Sequence, residues 1–192
     1  MRTQILSDQQ LIRQYIQGKE RALEMLINRH KDRVYTTIYM FVRDRYLTED
    51  LFQDTFIKVV DTLKAGRYRE EGKFAPWVSR IAHNLCIDHY RKTKRTPTIT
   101  NADGYDIFEI LRFSTPNSQD KLIQSETNRK VRTLIDELPP EQKEVVVLRH
   151  YAQLSFKEIA ELTDVSINTA LGRMRYALIN LRKIITEKEI SL

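Results

Sequence analysis

From Ser166 to Thr186 the chain places hydroxyl, amide and guanidinium groups at helical spacing with no carboxylate among them. Ser166 is placed to cap a helix, its hydroxyl near the Thr169 amide. Ala170, Met174, Ala177 and Leu181 recur at the spacing of a buried face, which turns Asn168, Thr169, Leu171, Arg173 and Arg175 outward. Hydrogen-bonding groups and cations on one exposed helix face can read base edges and track phosphates in a major groove. Just upstream, Ser155 and Glu158 have the spacing of a capping box, and Phe156, Ile159, Ala160 and Leu162 form an apolar face. Thr163-Asp164-Val165 interrupts the pattern between them. The pair has the form of a helix-turn-helix, although an ordinary helix hairpin with a basic solvated face carries the same local signature.

A second constellation lies between Phe74 and Arg95. On a helix, Phe74, Val78, Ile81, Ala82 and Leu85 share one side, which leaves Arg80, Asn84 and Arg91 on the opposite side, running into a basic tail. Tyr68 and Trp77 stand at the entrance to that face, and Lys64, Arg67, Arg69 and Lys73 outnumber Glu70 and Glu71 in the loop before it. Aromatics that stack bases, arginines that track phosphates and an amide that reads a base edge suit single-stranded or melted nucleic acid. Trp77 taken alone is better explained as core.

Thr48 to Leu63 has the opposite chemistry. Phe52, Phe56, Val59 and Leu63 make its buried side, while Asp50, Gln53, Asp54, Ile57 and Asp61 point elsewhere. Phosphates are repelled by such a face, so an exposed Ile57 among carboxylates suggests a protein-docking surface, against the plainer reading of a charged solvated side. Basic and acidic faces on one chain point to two kinds of partner.

Catalytic and metal chemistry find little support. His83-x-x-Cys86-x-x-His89 steps by three, so its members spread over about 120° of a helix, and a fourth ligand is missing. There is no Gly-rich phosphate loop and no nucleophile elbow, and His30 and His150 are expected at the surface or its boundary. No cofactor and no enzymatic activity are expected.

The elements that must position these groups are all helical. The 192 residues include only 5 glycines and 5 prolines, which disfavours turn-rich sheet, and 41% hydrophobic with 30% charged residues is ordinary for a globular protein. A net charge of +6 is a mild footprint for nucleic acid. The single cysteine excludes an internal disulfide and fits a reducing cytosol. No apolar run is long enough to span a bilayer, and the first ten residues lack a secretory h-region. Ser7-Asp8 opens a first helix with Leu11, Ile12, Tyr15 and Ile16 buried; Ala22 to Val42 carries a second apolar stripe; Thr48 caps a third element; a fourth begins at Phe74-Ala75-Pro76-Trp77. From Thr96 the periodicity gives way to turn and linker chemistry, with a short Ile107–Phe113 stretch inside it. It resumes near Gln119, stops at Pro139-Pro140 and continues from Glu141 to Tyr151. The expected fold is all-α: a helical domain over 7–95, a flexible linker over 96–125, and a second helical domain over 126–187 that ends in the helix-turn-helix.

In this order the motifs resemble a bacterial sigma factor of the extracytoplasmic-function (ECF) group, in the sigma-70 family. L-T-E-D-L-F-Q-D-T-F-I-K-V resembles the family's polymerase-binding helix, F-A-P-W-V-S-R-I-A-H-N-L-C-I-D-H-Y-R-K its −10-reading helix, and L-P-P-E-Q-K-E-V-V-V-L-R-H-Y with the helix-turn-helix its −35-reading domain. The resemblance spans nearly the whole chain, and 192 residues leave no room for the extra domain of housekeeping sigma factors.

It implies that Asp50, Gln53, Asp54 and Ile57 dock on the β′ coiled coil of core RNA polymerase and that the Glu141–Tyr151 helix contributes to binding the β flap. It implies that the Lys64–Lys73 loop with Tyr68, Arg80, Asn84 and Arg91 captures the melted −10 element, and that Ser166, Asn168, Thr169, Arg173 and Arg175 face the −35 duplex. It further implies a cytoplasmic protein, not inserted in a membrane, regulated by an anti-sigma factor that can hold it at the inner membrane. Many relatives carry lysine and serine where this chain has Leu171 and Gly172, which leaves the −35 sequence it reads open. The competing expectation is a stand-alone helix-turn-helix regulator whose first domain serves dimerisation or sensing.

Overall fold

The computed structural model describes residues 6–69, 71–95 and 130–188. The expected linker over 96–125, including Ile107–Phe113, lies outside the described residues, as do Glu70 and residues 126–129 of the expected second domain. Every regular element among the described residues is a helix, and the chain divides into two compact units.

The first unit is built on four helices, α1 (Asp8–Ile16), α2 (Glu20–Val42), α3 (Arg45–Lys64) and α4 (Phe74–Arg95). Ser7 caps α1 in a complete capping box: its hydroxyl accepts from the Gln10 amide at 3.3 Å, and its own amide donates to Gln10 Oε1 at 2.8 Å. Leu11, Ile12 and Tyr15 are buried as expected, but Ile16 is 62% exposed. At about 100° per residue it falls beyond the arc spanned by the other three, at the last residue of the helix. Gly18, at φ +91°, makes the turn into α2 in a backbone region closed to most side chains.

α3 starts three residues before its expected cap. Asp44 is the N-cap, its Oδ1 accepting from the Leu47 amide at 2.8 Å, and Thr48 is buried inside the first turn with its hydroxyl donating to the Asp44 carbonyl. A threonine can satisfy its hydroxyl on the carbonyl four residues back, so it is compatible with a helix interior as well as a cap. The core of the unit joins Leu11, Leu26, Val34, Ile38, Leu51, Phe56, Val59, Leu63, Phe74, Val78, Ala82 and Cys86, with Phe52, Ile81 and Leu85 packed partly buried against it.

The second unit begins with α5, described over 130–136, followed by α6 (Pro140–Val146), α7 (Phe156–Leu162) and α8 (Ile167–Glu187). Pro139-Pro140 ends one helix and opens the next, with Pro140 in the first turn where its missing N–H costs nothing. α6 runs on into a π-helical turn, Val147–Tyr151, and Val145 to Leu148 are all buried. Arg149 Nη1 donates to the Leu154 carbonyl at 2.9 Å and its guanidinium lies 5.2 Å from the Phe156 ring centre, fixing the approach to α7. Side-chain ties across the unit include Asn180 to Gln142 at 2.8 Å, Lys143 to Asp136 at 2.7 Å and Lys188 to Glu137 at 2.6 Å.

Candidate nucleic-acid and protein interfaces

α3 presents an acidic, partly apolar face. Asp50, Gln53, Asp54, Ile57 and Asp61 are all exposed, Ile57 at 56%, while Leu51, Phe56, Val59 and Leu63 are buried on the other side. Burial of the aromatic and aliphatic residues sets the rotation of the helix, and the carboxylates are left outside as a consequence. Arg45 Nε pairs with Glu49 at 3.0 Å, so one acid near the start of the helix is engaged within it.

The α4 face is built differently. Asn84 and Arg91 are exposed and Arg80 is half-buried. Taking Asn84 as origin, Arg80 and Arg91 fall within about 40° of it, and Trp77 lies within about 20° of the same line, one heptad before. Trp77 therefore answers both descriptions, because it packs partly buried on the core and also closes the end of the polar face. Its ring is 4.5 Å from that of Tyr68, and both contact Phe74, at 5.7 Å and 6.0 Å. Lys64 at the end of α3 and Arg67, Arg69 and Lys73 of the connecting loop are exposed. Asp88, which the sequence reading passed over, is also exposed and sits four residues after Asn84, an acid within the cationic face.

The helix-turn-helix has the expected caps. The Ser155 hydroxyl accepts from the Glu158 amide at 3.3 Å while Glu158 Oε2 accepts from the Ser155 amide at 2.9 Å. Ser166 Oγ accepts from the Thr169 amide at 3.0 Å. Ala170, Met174 and Ala177 are buried; Ser166, Asn168, Thr169, Leu171 and Arg175 are exposed, and Arg173 is half-buried. Gly172 lies on the outer face between Asn168 and Arg175, and a Cβ there would meet nothing within 4 Å.

His30 corrects the sequence reading, since it is 6% exposed rather than at the surface, with Nε2 2.8 Å from Asp8 Oδ2. Only an aspartate 22 positions earlier signals this, and nothing in the sequence marks the two as neighbours. The His83, Cys86 and His89 trio has separate surroundings: His83 meets the Phe41 ring edge-on at 5.1 Å, Cys86 is buried in the core, and His89 accepts or donates toward the Thr93 hydroxyl at 3.4 Å. Burial pushes the Cys86 thiol up to about 12, so the thiolate needed for metal binding or nucleophilic attack is disfavoured. Among the described residues no group of three or more His, Cys, Asp or Glu side chains is placed to hold a metal, and no helix is long and apolar enough to cross a membrane.

Known proteins match these units in the same order. The Sigma-70 region 2 family matches residues 26–96, which hold most of α2 and all of α3 and α4, and the Sigma-70 region 4 family matches residues 128–176, through the helix-turn-helix. The ECF RNA polymerase sigma-E factor of Haemophilus influenzae is 30% identical over 175 residues, 88% of this chain and 90% of the relative. The ECF RNA polymerase sigma factor SigW of Bacillus subtilis is 26% identical over 179 residues, 90% of this chain and 93% of the relative. The fold is shared with CnrH, solved in complex with the cytosolic domain of CnrY, at a TM-score of 0.63 and 22% identity over 94% of this chain and 97% of that one. A sigma factor RpoE of Bartonella quintana, solved with the anti-sigma factor NepR, has the same TM-score of 0.63 at 16% identity over 85% of this chain and 96% of that one. With both regions and full-length relatives in register, the chain belongs to the ECF RNA polymerase sigma factors of the sigma-70 family, non-enzymatic initiation factors that bind core RNA polymerase and direct it to promoters.

Proposed function

We propose a division of labour within this sigma factor. Asp50, Gln53, Asp54 and Ile57 of the domain spanning 7–95 dock on the β′ coiled coil, while Tyr68, Arg80, Asn84 and Arg91 capture the melted −10 element. The domain spanning 126–187 reads the −35 duplex through Ser166, Asn168, Thr169, Arg173 and Arg175, and residues 141–151 contribute to the β-flap contact. The observation that carries this reading is the segregation of charge in the first unit: α3 exposes carboxylates around Ile57, and α4 exposes cations around Asn84. Phosphates cannot approach the first surface without repulsion, so it takes protein; the second suits a nucleic-acid strand.

The chemistry at −10 is base capture. Extruding a base costs a few kcal/mol, which stacking and hydrogen bonds in a pocket must offset. Tyr68 and Trp77 supply ring faces and Asn84 supplies both a donor and an acceptor at the same surface. At −35 the capped start of α8 brings backbone N–H groups toward phosphate, and Asn168, Arg173 and Arg175 reach base edges. Each unit makes few contacts; mounting both on one polymerase raises their effective concentration and makes the combined readout specific.

An anti-sigma factor that covers the polymerase-facing surfaces is the regulator this reading expects, in keeping with the partners of CnrH and of the Bartonella RpoE. The chain then works in the cytoplasm, and an anti-sigma factor anchored in the inner membrane would hold it there until a signal releases it.

Co-elution with purified core RNA polymerase, followed by footprinting on fragments of the source genome, tests the reading. Stable co-elution with protection at −35 and an opened −10 is expected. A clean duplex footprint from the protein alone, without binding to core, supports the stand-alone regulator instead.

A further inference from the structure

Two large apolar side chains on α3 are exposed, Tyr46 at 80% and Ile57 at 56%, and they share a line. At about 100° per residue, Tyr46, Gln53 and Ile57 fall within about 40° of one another, and the line runs about 16 Å along the helix axis. Asp50, Asp54 and Asp61, all exposed, follow on one flank of it. The other flank holds buried Phe56, half-buried Val60 and Glu49, the last paired with Arg45. The result is a ridge with an aromatic ring at one end, a branched aliphatic at the other, an amide between them and three aspartates along one edge.

We infer that Tyr46 is an anchor of the contact between α3 and polymerase, extending that surface one turn beyond Asp50 toward the start of the helix. This rests on the reading of α3 as the docking surface. The occupant that fits is a basic helical surface with apolar side chains set beside its cations, which is the chemistry required of the β′ partner. A tyrosine offers a large rigid area at the cost of only two side-chain torsions, and tyrosines are over-represented among residues that dominate binding energy. The acids on the flank steer association and set register; the ring at the ridge end slows dissociation.

The test compares wild type, Tyr46→Ala, Tyr46→Phe and Asp54→Lys for affinity to core RNA polymerase, together with sedimentation of the free full-length proteins. Tyr46 is too exposed for its loss to disturb the core, so equal thermal melts are expected throughout. Tyr46→Ala is expected to lose about tenfold or more in affinity, mainly through faster dissociation, and Tyr46→Phe to retain most of it. If Tyr46→Ala matches wild type while Asp54→Lys loses binding, the Tyr46 assignment is overturned and the docking surface stands. If neither substitution changes affinity, the docking reading itself is overturned. Self-association of wild type that disappears in Tyr46→Ala, with core affinity unchanged, would assign the ridge to a second copy of the chain and overturn the inference.

Discussion

His30 Nε2 lies 2.8 Å from Asp8 Oδ2, joining the middle of α2 to the first residue of α1. The other Asp8 oxygen takes Arg29 Nη1 at 2.6 Å, and Arg29 Nη2 donates to the Leu6 carbonyl at 2.7 Å. The imidazole also contacts the Phe74 ring at 5.4 Å, and Phe74 touches both Tyr68 and Trp77. One buried histidine thus connects the start of the chain's first helix to the aromatic cluster at the head of the α4 face.

That histidine predicts a pH dependence of stability. Burial holds its pKa below the ordinary 6.5, against the raising influence of the Asp8 carboxylate, and the Arg33 and Arg29 charges add to the lowering. Between the lowered value and 6.5 the unfolded chain binds a proton that the folded chain does not. Stability is therefore full above pH 6.5 and declines as pH falls toward the lowered value. One such site contributes a slope of at most about 1.4 kcal/mol per pH unit. Urea denaturation between about pH 7 and about pH 5 should show this decline in wild type and a flatter profile in His30→Gln; identical slopes would remove the assignment.

Charge reversal at Asp54 should weaken binding to core polymerase while leaving the fold intact, because the side chain is exposed and the buried side of α3 is untouched. The expected loss is about tenfold or more at low salt, shrinking as ionic strength rises. Equal affinity of wild type and Asp54→Lys for core would exclude Asp54 from the interface.

Asn84→Ala should impair open-complex formation more than core binding. The residue is exposed on the opposite chemistry, a cationic face, and its amide supplies hydrogen bonds worth roughly 1–3 kcal/mol when paired with a base edge. Permanganate reactivity of the −10 thymines and core affinity, measured on the same variant, separate the two effects. A parallel loss in both would argue against base reading.

Gly172→Ala should stabilise the second unit by roughly 0.5–1 kcal/mol, since glycine in a helix interior loses more backbone entropy than alanine. The added Cβ meets nothing within 4 Å, so no steric term opposes the gain. Thermal denaturation of the pair measures it, and a destabilised alanine variant would show that α8 needs glycine at this position for another reason.

Much of the fold was legible because its signals are local. Ser7 with Gln10, Ser155 with Glu158, and Ser166 with Thr169 each satisfy helix-terminal amides within three residues, so the caps of α1, α7 and α8 are readable without tertiary context. The exposed acids of α3 and Asn84 of α4 followed from apolar periodicity alone. Thr48 failed because the same hydroxyl can cap a helix or bond back inside one, and the choice went to Asp44, whose carboxylate reaches an orphan amide and also complements the helix dipole. Ile16 failed because periodicity names a face without stating how wide an arc the neighbours cover.

By itself the sequence determined the helical elements, the caps of α1, α7 and α8, the separation of acidic and basic faces, and the order of motifs that marks the family. These depend on side-chain spacing and on groups within one turn of each other. Tertiary structure alone decided that His30 is buried against Asp8 and Phe74 and that Trp77 serves core and surface together. Each of those depends on which helix packs over which, a matter of contacts between residues distant in the chain, whose burial shifts pKa values and fixes ring positions that no local pattern encodes.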